Sequence, residues 1–179
     1  ADLVTISHDH KDHNRADFVS DIKMVIDSPG EYEISEVSIV GIPSFHDTEN
    51  GGKRGKNIIY VYEADGLRFA HLGDLGHKLG KETIEQLGTL DILMIPVGGV
   101  YTINSNTASE IVREIEPSVV IPMHYKVQGI NPQVFGEISE VGDFLKEVGL
   151  PVEESDKFII KKGDMLEGES KVVVMKPKS

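Results

Sequence analysis

Apolar and polar positions follow two different rhythms along this chain. In the first half they come as short apolar or alternating runs, which read as strands. Ala1–Ser7 (ADLVTIS) and Lys23–Asp27 (KMVID) have the compact, β-branched character of buried strands, and Ser28-Pro29-Gly30 closes the second. Val37, Ile39 and Gly41 alternate with Ser38, Val40 and Ile42, a strand expected to end at Pro43. Asn57–Glu63 and Leu67–Leu72 flank Ala64-Asp65-Gly66, and Asp-Gly between two apolar runs predicts a hairpin.

The second half alternates between periods. Lys81–Leu87 reads as a helix, and Asp91–Ile95 as a strand stopped by Pro96. Ala108–Ile115 is amphipathic, with Thr107 as its expected N-cap, and Ser118–Ile121 is a buried strand stopped by Pro122. Ile138, Val141, Phe144, Leu145 and Val148 fall at helical spacing, which predicts one helix over Phe135–Val148. Phe158–Lys161 and Lys171–Met175 are expected as closing strands. Hairpins followed by strand–helix alternation predict an α/β fold with helices packed outside the sheets. No repeat or linker divides the sequence, so residues 1–179 read as a single domain.

Composition narrows the function classes. The chain has 179 residues with 18 Lys+Arg against 30 Asp+Glu, a net charge of −12. That balance argues against a basic groove for nucleic acid and against binding to an anionic membrane. No apolar run approaches the ~20 residues of a membrane span. With no basic-then-apolar leader the expected location is cytoplasmic. An apolar content of 39% argues against disorder. The absence of cysteine excludes disulfides and thiolate metal ligands and leaves the redox compartment open.

The densest chemistry is Ser7-His8-Asp9-His10-Lys11-Asp12-His13-Asn14, directly after a strand. Imidazoles and carboxylates together suit zinc and similar divalent metals. In an extended segment His8 and His10 point to one side and can share a metal. Asp12 and His13 converge on a second metal only if the chain turns there, and Asn14–Val19 can supply a helical turn. His46, Asp74 and His124 each stand in a loop just beyond a strand end, where sheet proteins concentrate function. His71, on its strand, and His77, beyond the loop, suit structural roles better. Gly51-Gly52-Lys53-Arg54-Gly55-Lys56 is the basic exception in an acidic chain, where Arg54 suits a phosphate or carboxylate. Tyr101, after Gly98-Gly99-Val100, and Lys126, just past His124, are further candidates for substrate contact.

These pieces resemble a known family. His8–His13 (HDHKDH) matches the His-x-His-x-Asp-His signature of the metallo-β-lactamase superfamily of metal-dependent hydrolases. Ile42–Asp47 (IPSFHD), Arg54–Asn57 (RGKN), Ala70–His77 (AHLGDLGH), Ile95–Val100 (IPVGGV) and Ile121–Lys126 (IPMHYK) resemble the branch of ascorbate-6-phosphate lactonase and related zinc hydrolases. The resemblance implies a four-layer αββα sandwich of two mixed sheets with outer helices. It implies two divalent cations, zinc first, with manganese or iron(II) as alternatives. His8, His10 and His46 would hold one, Asp12, His13 and His124 the other, and Asp74 would bridge both. A hydroxide between them would attack a lactone, ester, amide or phosphoester of a small anionic metabolite, and Asp12 would also act as catalytic base. Redox di-iron members usually place Glu where His10 stands, so the resemblance implies hydrolysis.

The alternatives are a phosphodiesterase or nuclease of the same superfamily, and a non-catalytic metal-binding fragment. Members normally carry further strands ahead of this signature, so the domain is expected to be N-terminally truncated. An open sheet edge there would favour a homo-oligomer or a complementing N-terminal segment.

Overall fold

The computed structural model describes residues 1–164 and 168–176. Two short strands, β1 (Leu3–Thr5) and β2 (Met24–Ile26), pair in parallel. The remaining strands form an eight-stranded mixed sheet. Its antiparallel half runs through β3 (Gly30–Ile34), β4 (Val37–Phe45), β5 (Lys56–Ala64) and β6 (Leu67–His71). Its parallel half continues from β6 to β7 (Ile92–Pro96) and β8 (Val119–Met123), then to β10 (Lys171–Met175) and β9 (Val152–Ser155) at the edge.

The period of two decides what each face of the large sheet meets. Ile59 and Val61 of β5, Leu93 and Ile95 of β7, Val120 of β8 and Val172 of β10 point to one side. There they pack on the apolar faces of α1 (Lys81–Leu87), α2 (Ser105–Ile115) and α4 (Val141–Val148), with Phe144 fully buried. The alternate residues Ile39, Ile58 and Tyr60 meet β1 and β2 through Leu3, Met24 and Ile26. Further along the same face Ile92, Val119 and Val173 pack under Phe158 and Ile160. The small sheet is tied down by polar contacts as well. Ile58 N–H donates to Ser7 O (2.7 Å), and the Tyr60 hydroxyl lies 3.0 Å from Ile6 O and 2.9 Å from Ile26 O. Burial pushes the Tyr60 phenol further up than tyrosine usually stands, so it stays a neutral donor.

The hairpin at Asp65-Gly66 forms as expected, with Ala64 opposite Leu67 and positive φ at both turn residues (52° and 75°). Several boundaries differ. β1 is three residues, not the whole of Ala1–Ser7. β4 continues through Pro43 to Phe45, because its pairing with β3 ends at Gly41 and leaves Pro43 a neighbour on one side only. β7 and β8 likewise include Pro96 and Pro122 at their ends. The N-cap of α2 is Asn104, whose Oδ1 accepts from Thr107 N–H at 3.0 Å. The single helix expected over Phe135–Val148 is two, α3 (Pro132–Phe135) and α4. Between them the backbone is taken up elsewhere: Ser139 N–H donates to Gly98 O, and Lys126 N–H donates to Ser139 O. Phe158–Lys161 is not a strand; it lies irregularly over the sheet and still buries Phe158 and Ile160 against it. β3 and β9 were not anticipated, since edge strands carrying Glu31, Glu33, Glu153 and Glu154 lack an apolar run.

Candidate metal centre

Strand direction brings the candidate residues together. β4, β6, β7 and β8 all end at the same edge of the large sheet, and β5 begins there. His46 follows β4, Asp74 follows β6, the Gly98–Tyr101 turn follows β7 and His124 follows β8. The loop after β1 reaches the same edge. It turns sharply, with the N–H groups of His13 and Asn14 both donating to His10 O, at 2.8 and 3.0 Å. That turn brings the His13 ring to 4.5 Å from that of His8, with Asp12 beside His13. A single 3-10 turn, Ala16–Phe18, follows it.

Asp74 is the hub. Its Oδ2 lies 3.3 Å from His46 Nε2, 3.4 Å from His124 Nε2, 3.6 Å from His8 Nε2 and 3.8 Å from His13 Nε2. His10 packs beside His8 and His46, with ring centroids 4.8 and 5.0 Å away. Donor atoms of His8, His10 and His46 lie within 4.8 Å of one another, and so do those of His8, His13 and Asp74. Asp12 is exposed at the rim, its Oδ2 3.7 Å from His13 Nε2. The structure therefore gathers His8, His10, Asp12, His13, His46, Asp74 and His124 at one place.

These spacings are longer than ordinary hydrogen bonds. They suit donors arrayed around a cation, since two ligands about 2 Å from zinc at a tetrahedral angle stand about 3.3 Å apart. His8 supplies the decisive detail. Its Nδ1 shares a hydrogen bond with the Ser7 hydroxyl (2.9 Å), whereas the buried Nε2, aimed at Asp74, has no partner. A buried polar atom without a partner is costly unless something fills the gap. Burial, reinforced by the neighbouring His13, His46 and His10, pushes the His8 imidazolium down to about 4 against the pull of Asp74. Burial lowers His46 too, aided by His10 and Arg54. Both rings are thus neutral near pH 7, the form that ligates metal. The residues fit divalent cations.

The supporting residues were less visible in the sequence. Asn57 is buried at the start of β5. Its Nδ2 donates to Ser44 Oγ (2.7 Å) and Leu72 O (2.9 Å), and its Oδ1 accepts from Asp74 N–H (2.9 Å). One amide thereby locks two strands to the Asp74 turn. A polar residue opening the apolar run NIIYVY was the available signal. Gly76 and Gly98 allow close approach: a Cβ on Gly76 would strike the His46–Asp47 backbone, and one on Gly98 would strike His124 O. His124 itself sits at φ +52°, a left-handed conformation that costs about 1–2 kcal/mol for a non-glycine residue. His71 and His77 have structural bonds, as expected: His71 Nδ1 accepts from Gly73 N–H (3.1 Å), and His77 Nε2 accepts from Phe45 N–H (3.2 Å).

A cavity of about 320 Å³ opens over this centre, lined by His10, Asp12, His13, Asp74 and His124 and walled by Arg54, Tyr101 and Phe135. The Tyr101 hydroxyl donates to Val134 O (2.8 Å), so its ring face, not its hydroxyl, is presented. Lys126 is outside this wall; its ammonium donates to Gly136 O at 3.1 Å.

Comparison with known proteins decides the family. The model of the beta-lactamase superfamily domain matches residues 1–124. The chain belongs to the beta-lactamase superfamily. A metal-dependent hydrolase of Thermococcus onnurineus is 30% identical, over 93% of this chain and 82% of that protein. A candidate Zn-dependent hydrolase of the metallo-beta-lactamase superfamily from Thermotoga maritima superposes with a TM-score of 0.77 at 36% identity, over 98% of this chain and 82% of that one. A metallo hydrolase from Ignicoccus hospitalis shares the fold alone, with a TM-score of 0.65 at 21% identity, over 100% of this chain and 78% of that one. The expected metallo-β-lactamase fold is present, and this superfamily member is a metal-dependent hydrolase.

Two outcomes follow from the geometry. Asn57→Ala should destabilise the chain by about 1–3 kcal/mol and weaken metal binding about 10–100-fold, read by denaturant unfolding and by metal titration. In the metal-free chain, NMR titration should place the His8 midpoint near pH 4. The unfolded ring takes up its proton near pH 6.5 and the folded ring does not. Stability should therefore fall as pH drops from about 6.5 to about 4. A His8 midpoint near 6.5 would contradict the buried geometry.

Proposed function

We propose that the chain works with two divalent cations, zinc first, and hydrolyses a lactone, ester, amide or phosphoester of a small metabolite. The observation that supports this reading is Asp74: one buried carboxylate oxygen within 3.8 Å of four imidazole nitrogens, with His8 Nε2 otherwise unpartnered. His8, His10 and His46 would hold one cation and Asp12, His13 and His124 the other. Asp74 has two oxygens and can serve both sides, which an imidazole cannot do. Paired cations of this kind acidify water toward ~7 and polarise an electrophilic oxygen.

The remaining work falls to the chain's own groups. Asp12 stands at the open rim beside His13, where an exposed carboxylate can orient the attacking water and take its proton. Asn57 keeps the Asp74 backbone fixed during the reaction. The ring of Tyr101 and that of Phe135, whose centroids lie 6.2 Å apart, wall the cavity and limit the size of the substrate. Arg54 and Tyr101 are the proposed substrate contacts. Lys126 would reach substrate only by giving up its bond to Gly136 O.

Asp74→Ala tests the bridging role. Elemental analysis should show loss of bound metal, and turnover of nitrophenyl esters and lactones should fall together by about a thousandfold or more. Retention of both metal and activity would refute the assignment. A phosphodiester substrate in the same panel separates the nuclease alternative.

A further inference from the structure

Among the described residues, Arg54 is the arginine left without a carboxylate. Arg15 pairs with Asp17, Arg68 with Glu63 and Arg113 with Glu147. Among the described residues no carboxylate or hydrogen-bond acceptor meets the Arg54 guanidinium; its neighbour is the face of Tyr101, 5.5 Å from ring centroid to Cζ. The side chain is half-buried in a protein of net charge −12. It stands where the 320 Å³ cavity meets a second groove of about 910 Å³ that runs past His8 and His10.

The loop that carries Arg54 is built around a buried anion. Asp47 is 4% exposed, and its carboxylate accepts four backbone N–H bonds. Oδ1 takes those of Glu49 and Gly51, both at 2.8 Å, and Oδ2 takes those of Lys53 (2.9 Å) and Arg54 itself (2.6 Å). The loop closes with His46 N–H donating to Gly55 O (3.1 Å). One side chain, adjacent in sequence to His46, thus fixes the backbone from which Arg54 projects. Tyr101 is held as firmly, by its bond to Val134 O and by edge contacts with Phe135 and His124.

We propose that Arg54, backed by Tyr101, is a subsite for a carboxylate or phosphate that the substrate carries apart from the bond being cleaved, and that Asp47 is the positioning residue that holds Arg54 there. A guanidinium fork pairs with two oxygens of such a group at once. The aromatic face supports the planar cation from behind. In a protein of net charge −12, a cation at the mouth of the site helps to draw in a small anion. The inference rests on the hydrolase reading above for the identity of the bound molecule, but not for the binding itself.

The test uses the full chain with its metals and ¹⁵N-labelled arginine side chains, titrated with inorganic phosphate. The Arg54 Nε–H signal should shift saturably while those of Arg15, Arg68 and Arg113 stay in place. Arg54→Gln should weaken phosphate binding about tenfold or more. Asp47→Asn and Asp47→Ser, which cannot satisfy four N–H donors, should weaken it comparably and displace the Arg54 signal. In turnover, Arg54→Gln should raise KM about tenfold or more for a nitrophenyl ester bearing a free carboxylate. The rise should be clearly smaller for nitrophenyl acetate, which carries no second anion. An Arg54 signal that ignores phosphate, or Arg54→Gln binding it as well as the parent, overturns the subsite. A folded Asp47 variant with parental phosphate affinity overturns the positioning role. Phosphate held at Arg54 by a chain that hydrolyses neither ester sinks the hydrolase reading and leaves the subsite standing. Hydrolysis with a silent Arg54 does the reverse.

Discussion

A carboxylate buried among imidazoles governs this structure. Asp74 is 6% exposed, and one of its oxygens faces four ring nitrogens at distances too long for good hydrogen bonds. Burying an isolated charge is expensive unless an opposite charge or several donors meet it. Two of the rings, His8 and His46, are held neutral by burial and cannot supply that charge at neutral pH. Divalent cations can, and the same cations would occupy the space in front of His8 Nε2. The surroundings fit this single constraint. Asn57 anchors the Asp74 backbone, Gly76 lets the Asp74 loop press against the His46 loop, and Gly98 lets the next turn press against His124.

The two halves of the sheet divide the labour. Parallel strands β6, β7 and β8 align their ends at one edge, which is where loops with chemistry collect in such sheets. The antiparallel half adds β4 running the same way and starts β5 alongside it, so His46 and Arg54 arrive from opposite chain directions at the same rim. Packing supports this arrangement from behind. The helix face of the sheet buries Leu93, Ile95 and Val120, and the loops that follow those strands inherit a rigid base. His124 accepts an unfavourable backbone conformation there, which a well-packed strand end can impose.

Much of this was readable in the sequence because the relevant signals are local. His8, His10, Asp12 and His13 are crowded into one short segment, and their alternation indicates which of them share a side. The Asp65-Gly66 turn and the limits of α1 were equally plain. What was hidden depends on contacts between distant segments. The helix expected over Phe135–Val148 breaks because Gly98 and Lys126, far away in sequence, claim the backbone of Ser139. β4 outlasts Pro43 because β3 is too short to pair there. Asp47 and Asn57 stood in quoted motifs, yet their roles emerge only when four N–H groups and an Asp74 turn are seen to converge on them. Lys126 looked like a substrate contact by proximity to His124 in the chain, but its ammonium reaches Gly136 O instead.

The proposed site puts Asp74 between two cations. Anomalous scattering from crystals of the purified chain, measured at the absorption edge of the metal that accompanies it, addresses this directly. The expected result is two peaks about 3.5–4 Å apart, one against His8, His10 and His46, the other against Asp12, His13 and His124, with an Asp74 oxygen within bonding distance of each. A single peak, or density for metal away from Asp74, would contradict the account.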